Sequence, residues 1–99
     1  MLKASECRKI ADEAKSNKIK NIVNSIFSEA EKNIYENAKD GNHEYSVVRN
    51  IPHYINKDEL IKATANEAKR FIDNEYSVDI TYEEYLSYGK RFLTVVFSY

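Results

Sequence analysis

The residues best equipped for chemistry are His43, His53, Cys7 and the adjacent pair Glu83-Glu84, and their spacing decides against most of what they could do. A metal centre needs three or four ligands at fixed geometry. Asp40 and Glu44 stand near His43, but the chain has no His-X-X-X-His, Cys-X-X-Cys or Glu-X-X-His pattern, so both histidines read as surface residues of loops. A Cys7–His nucleophile pair would need a third, orienting group and an activating environment. Cys7 instead falls on an apolar helix stripe, which predicts a buried and inert thiol. Adjacent glutamates point apart on a strand or a helix, so Glu83 and Glu84 read as solvated charges. Gly41 and Gly89 are the two glycines and lie too far apart to build a phosphate-cradling loop. The expectation is a protein without enzymatic activity, cofactor or metal.

Aromatic residues carry the one positive signal. Eight tyrosines occur with no tryptophan, and Tyr82, Tyr85 and Tyr88 stand three apart beside Lys90 and Arg91. Tyrosine offers a rigid ring and a hydroxyl together, which suits a protein interface or a stacked nucleobase, while adjacent cations can meet a phosphate. Strand tyrosines at a core edge have the same spacing and need no ligand. The candidate binding residues are Arg49, Tyr82, Tyr85, Tyr88, Lys90 and Arg91.

The elements that must hold these residues follow from hydrophobic period. From Ala4 to Ala38 apolar residues recur at three and four, through Cys7, Ile10, Ala14, Ile19, Val23, Phe27, Ala30 and Ile34. Ser16-Asn17-Lys18 interrupts the stripe with a step of five from Ala14 to Ile19, predicting a kink, or two helices at about 4–15 and 18–39. Lys39-Asp40-Gly41-Asn42 is the stop, with glycine at the left-handed cap. The period then becomes two: Tyr45, Val47 and Arg49 share one side of a strand, and Val48 on the other leaves its facing open. Asn50 to Asn56, with Pro52, should be a loop. Asn56 and Glu59 form a capping-box signature for a helix to about Asp73, with Leu60, Ile61, Thr64, Ala65, Ala68, Phe71 and Ile72 inward. Tyr76, Val78, Ile80 and Tyr82 alternate with polar residues as a half-buried strand. Glu83 to Lys90 should connect it, with room for one helical turn, to Phe92–Tyr99, which is apolar on both parities and the best candidate for a central strand. The fold class is α+β in a single domain, 1–99: a helical region at 4–39, then a β-α-β-β unit at 44–99 with helices packed on a three-stranded mixed sheet.

Fifteen basic and sixteen acidic residues give a formal charge of −1, which points to no nucleic acid or anionic membrane. One cysteine excludes an internal disulfide and fits a reducing cytosol, and the sequence has no signal core or membrane-spanning run. The long helical stripe exceeds what three strands can cover, predicting a homo-oligomer, most simply a C2 dimer, with residues 4–38 supplying most of the interface.

The opening Ala4-Ser5-Glu6-Cys7-Arg8-Lys9-Ile10-Ala11, the long helix and Ala38-Lys39-Asp40-Gly41 running into a strand resemble a group of small uncharacterised proteins encoded by phages and prophages. Their start reads like Ala-X-Glu-Ala-Arg-X-Ile, with Cys7 here at the usual alanine, and Asp73-Asn74-Glu75-Tyr76 departs from their Leu-Gly-Tyr turn. The resemblance implies a mobile-element origin and an accessory role in the cytoplasm of a bacterial host. On it rests the expectation of a non-enzymatic protein that inhibits a host component of a defence system, by occupying a protein surface or sequestering a small nucleotide signal. A nucleic-acid-binding regulator ranks second, because the helical lysines are interleaved with carboxylates.

Overall fold

The computed structural model describes residues 1–87 and 89–99. Helix α1 (Ala4–Lys39) is followed by strand β1 (Glu44–Asn50), helix α2 (Lys57–Ile72) and strands β2 (Ser77–Tyr85) and β3 (Lys90–Ser98). Ser16, Asn17 and Lys18 do not break α1, which runs unbroken for 36 residues. Serine and asparagine cost a helix interior only a few tenths of a kilocalorie, roughly 0.5 kcal/mol each against alanine, and continuous backbone hydrogen bonding outweighs that. The helix stops where expected: Asp40, Gly41 and Asn42 donate their amides to Glu36, Ala38 and Asn37, and Gly41 takes a φ of +89°, open to glycine at no steric cost. Helix α2 opens on its predicted cap, Asn56 Oδ1 accepting from the Glu59 amide at 3.0 Å. It closes on Glu75, which holds a φ of +71° without being glycine.

Strand β3 is central, as its two-sided apolar pattern requires, in a sheet ordered β1-β3-β2. Both ladders are antiparallel, which corrects the expected mixed sheet: β1 and β2 do run parallel, joined through α2, but β3 is inserted between them. The connection from β2 to β3 holds no helical turn among its described residues. Strand β2 continues to Tyr85, and Gly89, at φ +62°, helps reverse the chain.

Both helices cover one face of the sheet. Leu93, Val95 and Phe97 point into it beside Val47 and are fully or almost fully buried. Phe97 meets Phe27 of α1 and Phe71 of α2 with ring centroids 5.5 and 5.0 Å apart, so one aromatic cluster joins three elements. Tyr45 and Arg49 face α1 with Val47, whereas Val48 is 53% exposed on the opposite side. The loop between β1 and α2 contributes Ile51 and Ile55 to the core. Of the expected α2 stripe, Leu60, Thr64, Ala68 and Phe71 are buried, but Ala65 and Ile72 are exposed.

Candidate functional site

The candidate binding residues are distributed over three places. Arg49 lies on the β1 edge under α1, where Nη2 donates to Glu29 Oε1 at 2.9 Å and Nε donates to Ser25 Oγ at 3.3 Å. Tyr45 donates to the other oxygen of Glu29 at 2.9 Å and accepts from Asn33. The Arg49 hydrogen bond outweighs partial burial and, with Tyr45, holds the Glu29 carboxyl below its ordinary range. Burial and then that carboxylate push the Tyr45 hydroxyl up. This network fastens α1 to β1.

Arg91 on central β3 and Tyr82 on β2 lie at the end of the sheet beside the β1–α2 loop and the start of α2. The Arg91 guanidinium donates to the carbonyls of His53 at 2.9 Å and Ile55 at 2.5 Å, and its Nε is buried without a hydrogen-bond partner. Its carbon sits 5.5 Å from the Tyr82 ring centroid, with Lys57 Nζ 5.1 Å from the same ring. Arg91 is therefore a clamp on the loop that delivers Ile51 and Ile55 to the core. Tyr85 and Lys90 are partners across the β2–β3 ladder on the uncovered face. Tyr85 stacks edge-on against Phe92 and donates to Glu83, which raises its hydroxyl pKa. Tyr88 lies outside the described residues.

The uncovered face follows from register. Ser46, Val48, Asn50, Thr81, Phe92, Thr94 and Val96 form its centre, with Glu44, Asp79, Glu83 and Lys90 among them or at the ends. Among the described residues no element packs over them.

The larger finding is in α1. Residues 4–18 are exposed without interruption, and burial begins at Ile19. Cys7, expected to be buried, is exposed, because this half of the helix projects beyond the sheet as an arm. At 3.6 residues per turn, Cys7, Ile10, Ala11 and Ala14 centre roughly 160° around the axis from Ile19, Val23, Ile26, Phe27, Ala30 and Ile34. The five-residue step that suggested a kink is thus a change of face: the arm turns polar Asp12, Lys15 and Ser16 toward its own body and its apolar stripe away. Those polar residues, with His53, Tyr54 and Glu59, line an open notch of about 810 Å³. Lys18 reaches from the arm to Tyr54, its Nζ 3.1 Å from the hydroxyl and 4.4 Å from the ring centroid.

Two measures describe the projection. The accessible surface is 7003 Å², against about 5,800 Å² for a compact monomer of this mass. The radius of gyration is 16.1 Å, against about 13 Å for a compact chain of this length. Among the described residues no cluster of three or more His, Cys, Asp or Glu could hold a metal ion, and no helix is long and apolar enough to cross a membrane. No family model, curated protein or solved structure matches this chain.

Proposed function

We propose that this chain is a non-enzymatic, self-associating binding protein, of the accessory kind by which a phage or mobile element disables a host component of a defence system. The observation that carries the reading is the arm: an apolar stripe held outside the globule and turned away from its own core. A helix of this length is marginal in water without tertiary packing. Its buried counterpart, Ile19 to Ile34, is fully used inside the monomer, which narrows the surface for self-association from residues 4–38 to residues 4–18.

A protein target is favoured over a small nucleotide. The notch has the volume of a ligand pocket, but two carboxylates, Asp12 and Glu59, line it against one lysine, Lys15, a balance that disfavours phosphate. The uncovered sheet face offers Val48, Phe92, Val96 and Tyr85 in its place, a mixture of apolar and aromatic groups suited to a protein surface. Its carboxylates Glu44, Asp79 and Glu83 against one cation, Lys90, rank a nucleic-acid target below a protein. Native mass spectrometry tests the reading: the purified chain should appear at twice its 11.6 kDa mass and, mixed with host extract, should shift to one defined complex whose reconstitution from purified parts is blocked by Val48→Lys. A chain that stays monomeric and acquires no partner overturns it.

A further inference from the structure

We infer that the free edge of β2 receives an extended segment of another protein, with apolar and basic side chains in alternation, as a fourth and antiparallel strand of the three-stranded sheet. Such pairing needs neither self-association through the arm nor docking on the uncovered face.

Register identifies the free backbone groups. The Tyr99 amide donates to the His43 carbonyl and the Ile51 amide to that of Arg91, so the odd-numbered residues of β3 bond β1 and the even-numbered ones bond β2. The β2 ladder therefore uses Ser77, Asp79, Thr81, Glu83 and Tyr85, and Val78, Ile80, Tyr82 and Glu84 turn their amides and carbonyls outward. Among the described residues no hydrogen bond reaches those outward groups. The β1 edge is different. Asn37 Nδ2 donates to the outward carbonyl of Glu44 at 2.7 Å, and Arg49 Nη1 to that of Val48 at 3.2 Å. Native edges are also blunted by proline, lysine or a bulge, and β2, nine residues long, has none of the three.

An apolar shelf runs beside this edge. Helix α1 lies over β1 and α2 over β2, with α2 antiparallel to its strand: Phe71 meets Tyr76 at one end and Lys57 meets Tyr82 at the other. Arg70, bonded to Glu31, marks the flank of α2 that faces α1. Ile61, Ala65 and Ile72 lie roughly 160° around the axis from it, on the flank toward the free edge. Ala65 is exposed and Ile72 is 52% exposed, although both belong to the apolar stripe of α2. Val78, Ile80 and Tyr82 below them are only half-buried. An added strand would cover all of these with its helix-side residues, because side chains opposite one another across a ladder share a face.

Charge names the occupant. Asp79 and Glu83 stand on the uncovered face of β2 and Glu84 near its end, with no lysine or arginine in the strand. Among the described residues none of these carboxylates is in an ion pair, and Lys90, on the same face, stands across the ladder from Tyr85 instead. The β2 strand of a second copy, fully overlapped, would set each Asp79 against the other strand's Glu83, and like charges directly opposite destabilise a ladder. Lysine or arginine at alternate positions of an incoming strand meets Asp79 and Glu83, and the intervening apolar residues meet the shelf.

Fluorescence polarisation with a labelled nine-residue peptide of alternating lysine and valine tests the pairing. In an antiparallel ladder the residues that exchange hydrogen bonds with Val78, Ile80 and Tyr82 are those on the shelf side, the valines. N-methylation of the valines should weaken binding at least about tenfold through several lost hydrogen bonds, whereas N-methylation of the lysines, whose amides point away from β2, should change it less than about twofold. No binding of the parent peptide, or equal effects of the two modifications, overturns strand addition. Loss confined to the N-methylated lysines overturns the antiparallel direction.

Charge reversal tests the occupant on exposed residues. Asp79→Lys/Glu83→Lys should bind the lysine–valine peptide about tenfold more weakly and take up a glutamate–valine peptide instead, a gain that only a folded chain can show. A variant with native circular dichroism and no reversal overturns the basic partner. Hydrogen exchange of the chain alone should leave the Val78, Ile80 and Tyr82 amides unprotected; protection there would mean that a second copy already fills the edge, and overturns the proposal.

Discussion

Arg49 and Arg91 are both candidate binding cations, and each is spent inside the fold. Arg91 holds two carbonyls of the 51–55 loop, so Arg91→Ala should cost about 2 kcal/mol in urea unfolding, the scale of hydrogen bonds to a charged group lost from a part-buried site. A loss under about 0.5 kcal/mol would place the clamp elsewhere. Glu29 gives a pH test. Its folded pKa lies below the ordinary value of 4.5, chiefly through Arg49, so its contribution is present above pH 4.5 and is lost as pH falls through the lower folded value. Glu29→Gln should therefore flatten the acid limb of stability below that pH, by less than about 1 kcal/mol because the pair is partly exposed; superimposable limbs would remove the linkage. Neither role was legible in the sequence. The carbonyl partners of Arg91 lie 38 and 36 positions away, and Glu29 sits 20 positions from Arg49, distances that only the register of β1 on β3 and the seat of α1 can close.

Among the elements, the strands and their order of burial could be read from pattern because period and β-branching act locally: β3 is apolar on both parities and is central. Phe97, fully buried between Phe27 and Phe71, should cost about 3–5 kcal/mol when truncated to alanine, and a loss below about 1 kcal/mol would contradict the aromatic cluster. The mixed-sheet expectation failed because hydrophobic period carries no strand direction; the insertion of β3 between β1 and β2 is a tertiary choice. The turn after α2 shows a local rule broken. Glu75 holds a left-handed φ of +71°, a conformation that costs a side-chain-bearing residue about 1–2 kcal/mol. Glu75→Gly should raise stability by about 1 kcal/mol, read as a higher thermal midpoint; no gain would mean that the Glu75 side chain compensates. In α1 the step from Ala14 to Ile19 was visible, but its meaning was not, since a kink and a change of stripe produce the same gap.

For the molecule as a whole, the body is small and the arm projects from it, so stability and association should separate. Ile26 is fully buried and Ile10 is 55% exposed on the same continuous helix. Ile26→Asp should unfold the body by burying an uncompensated charge, whereas Ile10→Asp should leave the unfolding free energy of the body within about 0.5 kcal/mol of wild type. The most direct test of the arm as an association element is sedimentation velocity of the wild-type chain and Ile10→Asp at on the order of tens of micromolar, where a weak dimer is populated. The expected result is a wild-type species of twice the 11.6 kDa chain mass and an Ile10→Asp species of that single mass with its fold intact. A wild-type chain that sediments as a monomer throughout, or an Ile10→Asp chain that remains a dimer, would contradict it.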